Sequence, residues 1–92
     1  MIQLIYIEVV KVLEKTSLFS SKEIETAVIN EVLKEVYDAL KERGYNPINQ
    51  LVGYLVSGDP GYISSYKNAR TKILGLDRSA ILASILESYL EL

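Results

Sequence analysis

One stretch, residues 44–63, constrains the fold of this 92-residue chain more than any other. It reads GYNPINQLVGYLVSGDPGYI and holds four of the five glycines and both prolines. Glycine and proline adopt or impose special backbone angles, and both end helices. The stretch therefore predicts helix ends and tight corners at fixed places, and the rest of the chain has to be arranged around them.

Two short units in this stretch share one pattern, a capping side chain followed by proline: Asn46–Pro47 and Asp59–Pro60. Asn and Asp are preferred N-caps, and proline is favoured at the first helical position because its missing N–H would have no partner there. Gly44 and Gly58 stand just before the two units. We expect these glycines to end the preceding helices with positive φ angles.

The same stretch, continued through residues 65–70, resembles the IreB-like family of small regulatory phosphoproteins of low-GC Gram-positive bacteria. The shared pattern runs from GYNPINQ through VGY and SGDP to YI and NAR. With the helix before it, VLKEVYDALKERGYNPINQ, the resemblance covers about Thr16 to Leu90. It implies structural or partner-binding roles for the motif residues, which are Gly44, Tyr45, Asn46, Pro47, Asn49, Gln50, Gly58, Asp59, Pro60, Asn68 and Arg70.

The resemblance also implies a function. Such a protein is helical, homodimeric, cytoplasmic and non-enzymatic, and a membrane Ser/Thr kinase that responds to the cell wall phosphorylates it on a threonine near its N-terminus. That position corresponds to Thr16, the one threonine in the segment before the first capped helix. The downstream protein partner is not named by the sequence. From the residues alone, an ordinary polar loop remains the alternative interpretation of this segment.

Composition narrows the function classes independently of the family. The chain has no Cys and no His, which removes thiolate chemistry and the commonest general base and metal ligand. We therefore expect no catalytic residues, no metal and no cofactor; the carboxylates have the spacing of solvated helix faces. No apolar run approaches the roughly 18 residues of a membrane span, so no membrane insertion is expected. The net charge of −2 gives no global attraction to nucleic acid.

The hydrophobic content points to a partner surface. Residues of this class make up 49% of a chain that is long enough for one domain only. Because a chain this short buries roughly 60–65% of its unfolded surface, the excess suggests apolar area covered by a second copy or by another partner. The predicted fold is all-α, a compact bundle of four to five short helices in an intertwined or face-to-face homodimer.

The first long helix is predicted from a capping box of Ser20 with Glu23 to about Arg43, with a Phe19–Ile24 hydrophobic staple before it. Its apolar stripe is wide enough to meet two neighbouring elements. The stripe consists of Ile24, Val28, Ile29, Val32, Leu33, Val36, Tyr37 and Leu40.

Three further helical segments follow in the prediction. A short helix runs from Pro47 to about Ser57, and Gly53 within it indicates close approach by another element. The segment from Pro60 is either continuous to Leu74 or broken near residues 64–65. Its expected inward residues are Tyr62, Ile63, Tyr66, Ala69 and Ile73. Asp77 then caps a last helix with a Leu76–Ile81 staple and a stripe of Ile81, Leu82, Ile85, Leu86, Tyr89 and Leu90.

Residues 1–15 are interpreted as an N-terminal extension and residues 16–92 as a single helical domain. The extension has two interpretations. It is an amphipathic helix that packs on the core, or it is an over-extended start, with translation beginning near Val12.

Two polar groups have alternative interpretations. Lys67, Arg70 and Lys72, with two tyrosines nearby, resemble a small nucleic-acid or phosphate patch, but an exposed helix face is preferred in an acidic protein. Asn49, Gln50 and Asn68 are expected to bond backbone groups across the corner, with partner binding as the alternative.

Overall fold

The computed structural model describes residues 5–10 and 20–92. These residues form helices and turns, and no strand occurs among them, which confirms the all-α prediction. Residues 5–10 are helical and are called α1. The other α-helices are α2 (Ser21–Glu42), α3 (Pro47–Ser57), α4 (Ala69–Leu74) and α5 (Arg78–Leu90), with 3₁₀ turns at Pro60–Tyr62 and Tyr66–Asn68.

Helix α2 begins where the sequence predicts. The Ser20 hydroxyl accepts a hydrogen bond from the Glu23 N–H at 3.1 Å, which supplies the Ser20 half of the capping box. Phe19, and with it the expected staple to Ile24, lies outside the described residues. Since the four first N–H groups of a helix have no partner inside it, this bond fixes the start of the helix.

Gly44 ends α2 as predicted. The Gly44 N–H donates to the Lys41 carbonyl and the Tyr45 N–H to the Leu40 carbonyl, each at 3.0 Å, the two-bond arrangement of a Schellman motif. Gly44 has a φ of 84°, in the left-handed region that glycine enters most easily.

The core lies on α2, which packs against α3, α4 and α5. The wide stripe is thus confirmed, and its contacts extend to three helices. Ala39, which the stripe did not include, is also buried. The buried hydrophobic residues are Ile29, Val32, Val36, Ala39, Leu40, Tyr54, Ile63, Ala69, Ile73 and Ile81.

The segment from residue 60 to residue 74 is broken. Ile63 has extended backbone angles (φ −110°, ψ 122°) and a fully buried side chain, so it ends the first 3₁₀ turn and anchors the chain in the core. Lys67 and Asn68 then have φ angles of 51° and 60°, which no continuous helix allows. The inward position of Ile63, Ala69 and Ile73 is confirmed.

The position of the Tyr62 side chain differs from the prediction. It was expected to face inward, but it is 40% exposed and its ring lies over Gly53. A Cβ atom at residue 53 would come within 2.5 Å of that ring. The close approach predicted at Gly53 is therefore confirmed, and Tyr62 is the residue that approaches.

Within residues 5–10 and 20–92, no helix is long and apolar enough to cross a membrane.

Candidate functional site

The two capped corners are built as the sequence predicts. The Asn46 side chain accepts the Asn49 N–H at 3.1 Å, and Pro47 opens α3. The Asp59 carboxylate accepts the Gly61 N–H at 2.8 Å, so that proline again opens a helical turn, here a 3₁₀ turn. The second corner begins at the end of α3, where Gly58 has a φ of 75°.

Two other motif residues hold the segment that joins the corners to the core. The Gln50 amide donates to the Tyr62 carbonyl at 3.0 Å from the side of α3. The Arg70 Nε donates to the Ile63 carbonyl at 2.8 Å from the side of α4. Two consecutive carbonyls, at the last residue of the first 3₁₀ turn and at the extended residue after it, thus receive side-chain donors from two different helices. These donors satisfy backbone groups that no helix or sheet serves.

The remaining motif residues are exposed. Tyr45, Asn49 and Asn68 all turn towards solvent, and the Asn68 side chain makes no capping bond to α4. Asn68 instead has a left-handed backbone conformation, with a φ of 60°, which Asn adopts more easily than most residues. The expectation of bonds across the corner is therefore met by the side chain of Gln50. Tyr45, Asn49 and Asn68 are exposed motif positions at which a partner can reach side chains that make no capping bond.

The three cations of the suspected phosphate patch each have an acceptor within the chain. Lys67 pairs with Glu42 at 2.8 Å, and Lys72 lies 3.7 Å from Glu35. Arg70 donates its hydrogen bond to the Ile63 carbonyl. The hydrogen bond between Lys67 and Glu42 lowers the pKa of the exposed Glu42 and raises that of Lys67. The geometry thus favours the interpretation as a paired helix face over a nucleic-acid patch.

A wide apolar groove is open to solvent on another side of the molecule. Helices α2, α3 and α5 form it, and its volume is about 340 Å³. Beside it, α5 exposes large apolar side chains at Leu82, Leu86 and Tyr89. The groove is lined by Leu33, Lys34, Tyr37, Ile48, Leu51, Val52, Leu55 and Ile85. Large apolar patches of this kind on small domains mark interaction surfaces.

Thr16 lies outside the described residues. The nearest described residue on its C-terminal side is Ser20, the N-cap of α2. Among residues 5–10 and 20–92, no group of three or more acidic, His or Cys side chains is placed to hold a metal ion.

These features define a small all-α domain with two proline-opened corners, an internally bonded connecting segment and an apolar face suited to protein contact. A family model described as IreB regulatory phosphoprotein matches residues 14–91, a range that includes both corners and Thr16. The chain belongs to the IreB regulatory phosphoprotein family, as the resemblance of its motif indicated. Membership gives the chain a regulatory role.

Proposed function

We propose that this chain is a non-enzymatic cytoplasmic regulator that a membrane Ser/Thr kinase phosphorylates on Thr16. It acts in cell-envelope stress signalling through contacts with other proteins. The observation that carries the proposal is the match of a regulatory phosphoprotein family over residues 14–91, because that range contains Thr16.

The position of Thr16 limits how phosphorylation can act. A phosphate adds a charge of about −1.5 to −2, and Thr16 stands four residues before the Ser20 N-cap. Even beside a helix start, the interaction of a charge with the helix dipole contributes about 2 kcal/mol at most. This is too little to refold the domain. The signal is therefore read as a gain or loss of contacts with a partner protein.

In this proposal the protein functions as a homodimer. Its support is the apolar surface that one copy leaves open, made by the groove and by the outer face of α5. A two-fold contact would place the same patch on both copies and cover it. The second, downstream partner is a protein that meets the dimer elsewhere, for which the exposed motif residues Tyr45, Asn49 and Asn68 are available.

Thr16→Ala is expected to abolish labelling by the catalytic domain of a membrane Ser/Thr kinase. The protein is incubated with that domain and ATP, and phosphate is located by mass spectrometry. Thr71→Ala is the matched control, because Thr71 is exposed on the helical surface of α4. A kinase binds its substrate segment in extended form, so the control should be labelled like the wild type.

Circular dichroism and light scattering should give the same helix content and the same mass for both variants and the wild type. Labelling that persists in Thr16→Ala and maps to Ser20 or Ser21 contradicts the assignment of the site. A wild-type protein that takes up no phosphate at all contradicts the kinase proposal itself.

A further inference from the structure

Helix α1 consists of residues that favour a different secondary structure. Residues 5–10 read IYIEVV, so every residue except Glu8 is β-branched or aromatic. Such side chains lose rotamer freedom in a helix and are enriched in strands. The segment also lies outside residues 14–91, the range that the family model matches. Because its local preference conflicts with a helix, the helical form of α1 depends on packing against the rest of the chain.

The packing of α1 is partial. Tyr6 and Val9 lie against α2, where they line a small cleft with three residues of that helix. None of residues 5–10 is fully buried, and Ile5 and Ile7 are 44% and 47% exposed. Elements with few buried apolar contacts open at a lower free-energy cost than the whole domain. The segment can therefore leave α2 while the core formed by the other helices stays folded.

An extended form of the same segment has one wholly apolar face. Side chains alternate along a strand, so Ile5, Ile7 and Val9 share this face. An antiparallel pair of two such strands centred on Ile7 sets Ile5 opposite Val9 and Ile7 opposite its counterpart in the second copy. On the other face Tyr6 stands opposite Glu8, so this register brings no two carboxylates directly together, whereas a parallel in-register pair would align them.

We propose that residues 5–10 form a second self-association site, in which the segment leaves α2 and pairs as an antiparallel strand with the same segment of another copy. The outer edges of that pair stay open, so further copies can add to it as in a cross-β stack. Glu8 supplies the one charge that opposes the assembly. This inference is independent of the apolar groove and of the phosphorylation of Thr16.

The test follows assembly of the full chain at submillimolar concentration and at temperatures below its melt, with thioflavin T fluorescence as the readout. Ile7→Lys sets two lysines opposite each other on the apolar face and is expected to slow assembly about tenfold or more. Glu8→Val removes the opposing charge and is expected to speed it about threefold or more. Val56→Lys is the matched control, because Val56 is 80% exposed on α3 and undergoes the same change from apolar to cationic. It should assemble at the wild-type rate.

Solid-state carbon-13 NMR of the assembled wild type locates the strand. Residues 5–10 should have strand chemical shifts, while Tyr54 of α3 and Ile73 of α4 keep helical ones. A wild type that forms no thioflavin-positive assembly overturns the proposal, and so does an assembly in which the core converts and residues 5–10 stay helical. Equal rates for Ile7→Lys and the wild type also overturn it. If Ile7→Lys does not fold, Glu8→Val decides, since a rate no faster than that of the wild type has the same consequence.

Discussion

Gly58→Val is expected to lower the free energy of unfolding by about 2–3 kcal/mol, and Gly44→Val by about 1–2 kcal/mol. Both glycines have left-handed backbone angles, with φ of 75° and 84°. A residue with a Cβ atom destabilises that conformation by roughly 1–2 kcal/mol, and a β-branched one is the least tolerated there.

The difference between the two positions comes from Arg78. A Cβ atom at residue 58 would lie 2.7 Å from the guanidinium carbon of Arg78, whereas at residue 44 it would meet no described atom within 4 Å. Arg78 Nη1 donates to the Leu55 carbonyl at 3.2 Å and so ties the start of α5 to the end of α3. Displacing the guanidinium loses a hydrogen bond worth about 1 kcal/mol.

Thermal and urea unfolding at one fixed protein concentration measure both effects. For a domain of this size, 1 kcal/mol corresponds to about 4–8 °C in Tm. Gly44→Asn is the control, because Asn tolerates the left-handed region and should keep most of the stability. In an Arg78→Ala background, the extra effect at residue 58 should vanish. Unchanged melts for both valine variants would refute the positive-φ argument.

The helix ends were predictable because their causes are local. Ser20, Asn46 and Asp77 each cap a helix through a bond to a residue three positions on. Such bonds depend on neighbouring residues only, so a single sequence contains the full signal. The same holds for the glycines that end α2 and α3 with positive φ.

The break between Ile63 and Asn68 has local signals that do not decide it: the Ser64 hydroxyl accepts the Tyr66 N–H at 3.1 Å, and Asn68 tolerates the left-handed region. Lys67 and Asn68 hold left-handed angles in an ordinary Tyr-Lys-Asn sequence, which by itself leaves a continuous helix open. What fixes the break is tertiary. Arg70 bonds the Ile63 carbonyl, and Lys67 reaches Glu42 across 25 positions. The contact made by Arg70 was not visible in the sequence for the same reason, since its acceptor is a backbone carbonyl that only the fold places beside it.

The sequence predicted that the protein has an open apolar surface, but it did not predict all of the residues that form it. The excess of hydrophobic residues predicted an open apolar face, and the stripes of α2 and α5 located part of it. The contribution of α3, through Ile48 and Val52, emerges only when the three helices are placed together. The pairing of Glu35 with Lys72 is equally invisible in sequence, because 37 positions separate the two residues and no periodic pattern links them.

Leu86→Glu and Val52→Glu are each expected to weaken self-association by more than 100-fold. Leu86 projects from the exposed face of α5, and Val52, 52% exposed, lines the groove. In a dimer that covers this face, either glutamate would leave an uncompensated buried charge, which costs about 3 kcal/mol or more. Each 1.4 kcal/mol corresponds to a factor of ten in the dissociation constant.

Light scattering at tens of micromolar protein distinguishes the outcomes, because an association of about −7 kcal/mol is already visible there. The wild type should have the mass of a dimer, and the two groove-side variants should be monomeric or aggregated. Val56→Glu is the matched control: Val56 lies one turn beyond Val52 on α3, is 80% exposed and is not part of the groove lining. It should remain dimeric. A wild-type protein that is a compact monomer in this range rules out the dimer, and a Val56→Glu variant that dissociates as fully as Val52→Glu moves the interface away from the groove.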